Sequence, residues 1–268
     1  MRDQAPVLVI EAQKLYAERQ AAGGQQGQAE RRCADDRAGI EEAGIAGGHA
    51  LGRRAKCGQR DAGVRLGCQT GIGFPHGVGA LAGGGGTIGS ELARQCASMN
   101  PKSLVLFDSS EYNLYDADLT LKSEFPNVRI SSELGDVRDQ IRVRRAIEEA
   151  SPDIIIHAAA LKHVPLMEHN VCEAILTNVG GALTTAKAAQ IYDVEKFVFV
   201  STDKAVHPDN VMGATKRLAE LTVKRQASAS NFSVSMVRFG NVLGSSGSVV
   251  PLFERQIAKG GPVTLTHP

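Results

Sequence analysis

The sequence predicts an α/β fold built on a doubly wound parallel sheet. Apolar runs of strand length alternate with amphipathic segments after residue 79, several of these runs are apolar at every position, and a glycine-rich loop opens the first helical segment. A strand–helix–strand succession requires parallel pairing, because each crossover helix returns the chain to the same edge of the sheet. Runs that are apolar throughout suit strands covered by helices on both faces.

Each element follows from its own hydrophobic pattern. The predicted strands are Leu104–Phe107, Ile154–Ile156, Phe197–Val200, Val234–Val237 and Val263–Leu265. The predicted helices are Ile88–Ser98, Glu111–Glu124, Arg138–Glu149, Glu173–Tyr192, Val211–Ser228 and Val249–Lys259. Another strand should precede the glycine loop, but residues 77–82 contain two glycines and several small side chains, which predict a weak central strand.

The first part of the chain has a different composition. Residues 1–80 hold 15 of the 29 glycines and 11 basic residues, of which only two are lysines. Only Ala5–Ala17 is apolar enough to predict an element, so too little apolar surface is available to offset the entropy of ordering the chain. We therefore predict a poorly ordered or divergent segment over 1–78 and a single domain over 79–268. The amino-acid composition of residues 1–78 fits a divergent linker and an out-of-frame translation equally well.

Composition excludes several classes of protein. The net charge of +1 argues against nucleic acid as a partner. No apolar run approaches the length of about 18–20 residues that a membrane helix needs, so no membrane segment is predicted in this chain. Five cysteines without a C-x-x-C pair argue against a disulfide framework and a metal site, and they favour a cytoplasmic location.

The glycine-rich loop has the spacing G-x-x-G-x-x-G at Gly83, Gly86 and Gly89. Such a turn lets backbone N–H groups approach a pyrophosphate at the helix N-terminus. Asp108 follows 19 residues after Gly89, at the end of the next predicted strand, where a carboxylate can bind the adenosine ribose. Four consecutive glycines alone would also suit a linker, but the strand, helix and Asp108 in register favour a dinucleotide site. No arginine directly follows Asp108, which favours NAD and leaves NADP as the alternative.

Polar residues follow two of the other predicted strands. The segment after Ile156 carries His157, which suits a buried structural histidine, and then Lys162 and His163, which could meet a phosphate or a sugar hydroxyl. Ligands of such sheets bind beyond the carboxyl ends of the strands, so these residues are candidates for the site.

Asp203 and Lys204 follow the strand that ends near Val200. An acid beside an amine offers a proton donor and a proton acceptor to one substrate, although a solvent-exposed ion pair would have the same sequence. Met212 and Lys216 are four residues apart on the next helix and therefore share a face. Asn241 begins the polar loop after the following strand, where it could contact a second ligand or simply form a turn.

Together these motifs resemble the extended short-chain dehydrogenase/reductases, which have the Rossmann fold. More narrowly, the chain is similar to the dehydratases that act on UDP-N-acetylglucosamine in capsule and O-antigen polysaccharide biosynthesis. The resemblance covers about residues 83–268 and rests on the strings GGGTIGSEL, LVLFDSSEYNLY, LGDVRD, HAAALKHVPLMEHN, TNVGGA, FVFVSTDKAV, NVMGATKRLAE and VRFGNVLGSSGSVVPLFERQI.

The resemblance implies a role for each matching residue. The implied cofactor-binding residues are Gly83, Gly86, Thr87, Ile88, Gly89, Asp108, Asp136, Val137, Ala158, Ala159, Ser201 and Lys216. The implied substrate-binding residues are Lys162, His163, Asn178, Asn241, Gly244 and Ser245. The implied catalytic positions are Thr202, Asp203, Lys204, Met212 and Lys216.

The implied reaction is a 4,6-dehydration without net redox change, so that NAD can stay bound. Thr202 would hydrogen-bond the C4 hydroxyl, Asp203 would act as the acid at the departing C6 hydroxyl, and Lys204 would be the C5 base. A lysine acts as a base only when its pKa lies below the usual value of about 10.4, and we expect burial and Lys216 to lower the pKa of Lys204.

The chain departs from the wider superfamily at Met212, which stands where most members have a tyrosine. The long, membrane-anchored dehydratases resemble this chain in having methionine there, so deprotonation at C4 would fall to Asp203 or to a water held by Lys216. The family pattern continues beyond residue 268, and residues 1–80 do not resemble the membrane-spanning region of the long forms. We therefore expect a fragment with its C-terminal substrate-binding part truncated.

Other readings of the same residues stay open. An NAD-dependent nucleotide-sugar epimerase or reductase and a non-catalytic nucleotide-binding remnant are the alternatives to a dehydratase. The resemblance also predicts a homo-oligomer.

Overall fold

The protein is described by a computed structural model that covers residues 7–10, 77–240 and 249–264. Within these residues, seven strands form one parallel sheet in the order β1-β7-β6-β5-β2-β3-β4. The strands are β1 (Val7–Ile10), β2 (Val78–Ala82), β3 (Ser103–Asp108), β4 (Arg129–Leu134), β5 (Ile154–His157), β6 (Lys196–Thr202) and β7 (Ser233–Phe239).

Helices connect the strands. The α-helices are α1 (Thr87–Ser98), α2 (Glu111–Glu124), α3 (Gln140–Ala150), α4 (Val164–His169), α5 (Val171–Ala174), α6 (Ala182–Ile191), α7 (Val211–Ser228) and α8 (Val249–Ala258). A π-helical segment, Ile175–Gly181, lies between α5 and α6, and a single 3₁₀ turn, Asp203–Ala205, follows β6.

The sheet is covered on both faces, which confirms the predicted doubly wound fold. One core cluster contains Leu81, Leu92 and Leu106, and the other contains Phe197 and Phe199. The direction of strand succession reverses between β2 and β5, and this position is where open α/β sheets bind their ligands.

The longest helices match their sequence predictions, because caps mark their starts. The predicted bounds of α2 and α7 agree with the structure. Helix α3 begins two residues later than predicted, since the Asp139 side chain accepts hydrogen bonds from the N–H groups of Ile141 and Arg142 and so fixes the start. Strand β4 was not predicted, because its sequence RISSEL is largely polar, as suits a strand at the edge of the sheet. Helix α4 was also not predicted.

The predicted strand Val263–Leu265 is wrong for Val263 and Thr264, which lie in irregular structure, and Leu265 is outside the described residues. The backbone N–H of Thr264 donates to the side-chain oxygen of Gln256 in α8, at 3.0 Å. The Gln256 side chain therefore accepts the hydrogen bond that a neighbouring strand would otherwise accept from this N–H group.

Strand β1 lies within the segment 1–78, for which the sequence predicts little order. It pairs in parallel with β7, from Val7 beside Met236 to Ile10 beside Phe239. Apolar β-branched residues suit a strand, which explains why this run extends the sheet. The proposed boundary at 78/79 falls inside β2, which begins at Val78.

The weak strand predicted before the glycine loop forms β2, in the middle of the sheet, where it pairs with β3 and β5. Its small residues leave an apolar cavity of about 30 Å³ that Ala80 and Ala82 line together with Phe107 and Val143. The pairing on both sides compensates for the small side chains.

None of the helices within the described ranges is long and apolar enough to cross a membrane. Over the same stretches of chain, no three His, Cys, Asp or Glu side chains are grouped so that they could hold a metal ion.

Candidate active site

The glycine turn between β2 and α1 needs glycine at three positions, of which Gly85 is one because a Cβ there would lie 2.8 Å from the backbone of Asn113. Gly83 has a φ of +82°, and a Cβ there would lie 2.6 Å from the backbone nitrogen of Ala159. A Cβ on Gly89 would lie 1.8 Å from the carbonyl oxygen of Gly83. The turn therefore passes close to the segment after β5 and leaves the N-terminus of α1 open.

Gly86 is the capping residue of α1, and no side chain caps this end. With only hydrogen at that position, the backbone can approach an anionic ligand closely. Thr87 and Ile88 stand at this end, where the helix dipole is positive, so the N-terminus of α1 is suitable for a pyrophosphate.

Asp108 lies at the end of β3, beside the glycine turn. Its carboxylate accepts hydrogen bonds from the backbone N–H groups of Gly85 and Ser110, each at 2.9 Å. A carboxylate has about four acceptor positions, so these bonds leave capacity for a ribose hydroxyl. Asp108 also stabilises the glycine turn through the hydrogen bond from Gly85, which could not be predicted from its position in the sequence.

Asp136 and Val137 follow β4 and differ in exposure. Val137 is buried in the core cluster that contains Phe107. The Asp136 carboxylate accepts hydrogen bonds from the Arg138 guanidinium, and these bonds lower the pKa of Asp136 although partial burial opposes the change. Arg138 also donates to Glu173, at 2.7 Å. Arg138 thus links Asp136, which follows β4, to Glu173 on α5.

The segment after β5 forms the opposite wall of the crevice. Ala158 and Ala159 are partly buried, and the N–H of Ala158 donates to the carbonyl of Ala82 at 2.8 Å. Small side chains here leave the backbone accessible to a flat ring. His157 points into the core instead, is fully buried, and stacks on Phe199 with ring centroids 5.7 Å apart.

Thr202, Asp203 and Lys204 form a hydrogen-bonded group where β6 ends. One carboxylate oxygen of Asp203, Oδ1, accepts from the Thr202 hydroxyl at 3.0 Å and from the Lys204 ammonium at 3.2 Å. The Asp203 side chain is 50% exposed and that of Lys204 is 33% exposed, so a ligand can reach both. The Thr202 hydroxyl and the Lys204 ammonium thus donate to the same oxygen of the Asp203 carboxylate, at the carboxyl edge of the sheet.

Lys216 is buried beneath this group. Its ammonium donates to the carbonyl of Val200 at 2.6 Å and lies 4.4 Å from the centroid of the Phe199 ring. Burial lowers the pKa of Lys216 to about 8, although the charge of Glu220 acts in the opposite direction. Lys216 is therefore a buried lysine of this site that loses its proton more readily than a lysine in water.

Met212 lies one turn before Lys216 on α7 and is also buried. It packs in an apolar cluster with Met167 and Ala174. Its thioether cannot take up a proton at neutral pH, so it can only shape the site.

Asn178 was expected to contact substrate, but its side chain is almost fully buried and already engaged. Its oxygen accepts from the N–H of Leu161 at 2.8 Å, and its amide group donates to the Leu161 carbonyl and to the Thr215 hydroxyl, each at 3.0 Å. Direct substrate binding by Asn178 does not fit this environment. The residue instead joins the segment that carries Lys162 to helix α7.

Lys162 and His163 are exposed just after Leu161, ahead of α4. Partial burial lowers the pKa of Lys162. The three remaining predicted substrate residues, Asn241, Gly244 and Ser245, lie outside the described residues.

Glu220 and Arg238 form a buried ion pair behind the site that the sequence analysis missed. Arg238 donates to both carboxylate oxygens of Glu220, at 2.8 and 2.6 Å. The sequence did contain a signal for this pair. Arg238 directly follows the apolar residues Met236 and Val237 in a predicted strand, and a charge buried there requires a partner of opposite charge.

The fold, the glycine turn and the polar group after β6 fit the extended short-chain dehydrogenase/reductases, which the sequence resembles. The chain belongs to the family described as polysaccharide biosynthesis protein, whose model matches residues 80–268. The family resemblance stated from the sequence is therefore confirmed.

Relatives with several names match the same part of the chain. The chain is 45% identical to the probable polysaccharide biosynthesis protein EpsC of Bacillus subtilis over 70% of its own length and 32% of that protein. It is 36% identical to a UDP-N-acetylglucosamine 4,6-dehydratase (inverting) of Campylobacter jejuni, over 70% of the chain and 56% of the relative. A UDP-glucose 4-epimerase of Rickettsia massiliae is also 36% identical, over 70% and 55%.

Among solved structures, the X-ray structure of Pen from Bacillus thuringiensis is 39% identical and aligns with a TM-score of 0.63. The match covers 70% of this chain and 57% of that one. The chain thus spans between a third and three-fifths of the length of these proteins.

Proposed function

We propose that this chain is the NAD-binding part of a sugar-nucleotide 4,6-dehydratase, acting on UDP-N-acetylglucosamine or a similar UDP-sugar in polysaccharide biosynthesis. The observation that carries the proposal is the shared hydrogen bonding of Thr202, Asp203 and Lys204 at the end of β6. An elimination needs an acid and a base at neighbouring carbons, and this group supplies both. The Campylobacter dehydratase among the relatives supports the same reaction.

The residues around the crevice fit a dinucleotide. Gly83 and Gly89 keep the cradle open, since a Cβ at either position would collide with backbone. Asp108 would accept from the adenosine ribose, and the serines that follow it offer no charge for a 2′-phosphate, so NAD fits better than NADP. Bound there, NAD would supply the acceptor for a hydride from C4 of the sugar and the donor that returns it at C6.

The residues of the chain move the protons. Thr202 holds the C4 hydroxyl, whose proton goes to the Asp203 carboxylate, directly or through a water held by Lys216, since methionine stands at 212. Lys204 in its neutral form removes the C5 proton, and Asp203 gives its proton to the C6 hydroxyl, which leaves as water. After hydride has returned to C6, Lys204 gives its proton back to C5. Asp203 and Lys204 each gain one proton and lose one, so both return to their starting states.

Substitution of Asp203 tests the proposal. Incubation of the protein with NAD and UDP-N-acetylglucosamine should yield a 4-keto-6-deoxy product lighter than the substrate by one water, measured by mass spectrometry. Asp203→Asn should reduce kcat by about 10²–10⁴-fold, because the departing hydroxyl loses its acid. Asp116→Asn, an exposed carboxylate on α2, is the matched control and should leave the rate unchanged. Equal rates for the two variants would contradict the role of Asp203.

An epimerase is the second candidate, favoured by the UDP-glucose 4-epimerase among the relatives. An epimerase would return a product of unchanged mass with inverted C4, which the same assay separates from the dehydration product. A non-catalytic remnant would bind NAD in calorimetry without turning over either sugar nucleotide.

A further inference from the structure

Glu220 is a buried carboxylate on which three elements converge. It lies on α7, four residues after Lys216, and is 2% exposed. One carboxylate oxygen accepts from the Ser201 hydroxyl at 2.7 Å and from Arg238 Nε at 2.8 Å. The other accepts from Arg238 Nη2 at 2.6 Å and from Arg217 Nη1 at 3.0 Å. Four donors from β6, β7 and α7 therefore saturate one carboxylate.

These contacts keep Glu220 charged in the interior. Burial alone would raise the pKa of Glu220, but hydrogen bonds from Arg238, Ser201 and Arg217 outweigh this effect and lower it. Removal of one partner from such a group leaves an uncompensated charge, so the group acts as a unit. The Arg238 side chain is 12% exposed, whereas that of Arg217 is 43% exposed and lies at the rim.

The positions of the donors connect Glu220 to the site. Ser201 directly precedes Thr202 and Asp203, and its side chain points to Glu220. Arg238 is the last residue but one of β7, which ends at Phe239. The Glu220 carboxylate thus ties the carboxyl ends of β6 and β7 to the same helix that carries Lys216.

The surroundings of Lys216 complete the arrangement. Its ammonium donates to the carbonyl of Val200 and lies 4.4 Å from the centroid of the Phe199 ring, both on β6. The Glu220 carboxylate lies one helical turn further along α7, and it and the His157 imidazole on β5 are the titratable groups that interact electrostatically with Lys216. Of these two, Glu220 carries the negative charge. Its removal would leave Lys216 buried beside neutral groups, with burial alone acting on its proton.

We propose that Glu220 is a positioning residue of this site, fixing the ends of β6 and β7 through Ser201 and Arg238 and keeping Lys216 protonated. Its consequence for turnover rests on the proposed function, whereas its effects on Lys216 and on the strand ends do not.

The test is Glu220→Gln, studied by NMR of the ¹⁵N-labelled lysine side chains without cofactor. The amide keeps the shape of the carboxylate but removes the charge, so the pKa of Lys216 should fall by about one unit. Arg217→Gln removes only the donor at the rim, and it should leave the Lys216 titration in place. If Glu220→Gln alone does not fold, Glu220→Gln/Arg238→Gln is titrated against Arg238→Gln, so that the two proteins differ only in the charge of Glu220. An unchanged Lys216 titration in either comparison would overturn the proposal.

In the active enzyme, Glu220→Gln should lower kcat at least tenfold and move the alkaline limb of its pH profile down by about one pH unit. The direction follows because the limb reports loss of the Lys216 proton, which leaves at lower pH once the opposing charge is gone. A merely structural role would reduce the amount of active enzyme and leave the limb in place, which would also overturn the proposal. A wild-type chain without turnover would count against the dehydratase and leave the NMR result standing.

Discussion

His157 shows how the environment of a single residue sets its chemistry. Its imidazole is fully buried and stacks on the rings of Phe197 and Phe199. Burial, with the charge of Lys216 as a second cause, lowers the pKa of His157 to about 3. The residue is therefore neutral near neutral pH and cannot serve as a general acid there.

This environment predicts acid sensitivity of the fold. The unfolded chain takes up the His157 proton near pH 6.5 and the folded chain only near pH 3, so the unfolded state binds more protons in between. The free energy of unfolding should fall by about 1.4 kcal/mol for each unit below pH 6.5 from this residue. His157→Phe should flatten this dependence, measured by urea unfolding at pH 7 and pH 5. His169→Gln, at an exposed position, should not, and equal slopes in both variants would show that another group is responsible.

The types of site residue could be predicted from the sequence, but their partners could not. Asp203 and Lys204 stand at a strand end, a position that a linear pattern identifies. The hydrogen bonds between Asn178 and Leu161 join residues 17 positions apart, and the bond from Ser201 to Glu220 joins residues 19 positions apart. Both therefore depend on how the helices pack. For this reason Asn178 was interpreted as a substrate ligand and Glu220 was overlooked.

At the scale of elements, local signals explain which predictions succeeded. Ser110 and Asn210 cap α2 and α7 with side-chain hydrogen bonds, and both helices were predicted at their observed bounds. The predicted helix Glu173–Tyr192 is instead divided by the π-helical segment Ile175–Gly181. A π-helical turn widens the helix locally. Here it includes Asn178, whose hydrogen bonds to Leu161 and Thr215 stabilise this conformation. No periodicity in the sequence marks such a turn.

The turn between β2 and α1 gives a prediction at this scale. Gly89→Ala would place a methyl group 1.8 Å from the Gly83 carbonyl, so the helix must move away from the turn. We expect NAD affinity to fall at least tenfold in calorimetry, because the first amides of α1 no longer face the pyrophosphate. Gly180→Ala is the matched control, since the nearest atom to its new Cβ is 3.9 Å away, and it should bind NAD as the wild type does. Unchanged affinity in Gly89→Ala would mean that the dinucleotide binds elsewhere.

At the scale of the whole molecule, the order of the strands assembles the site. The glycine turn, Asp108, the alanines after β5 and the group after β6 come from four strands, and parallel pairing brings their ends to one edge. This edge could be predicted, because the succession of strands and helices allows few topologies. The pairing of β1 with β7 could not, since 66 residues separate the end of β1 from Gly77. The homo-oligomer stays a prediction.

Transfer of a labelled hydrogen tests the proposed dehydration as a whole. UDP-N-acetylglucosamine deuterated at C4 should give a 4-keto-6-deoxy product that carries the deuterium at C6, without accumulation of NADH, when analysed by NMR. This result requires the dinucleotide, the C4 hydroxyl and the Asp203–Lys204 pair to act on one sugar within one site. Deuterium retained at an inverted C4, or lost from a product still bearing its C6 hydroxyl, would contradict it.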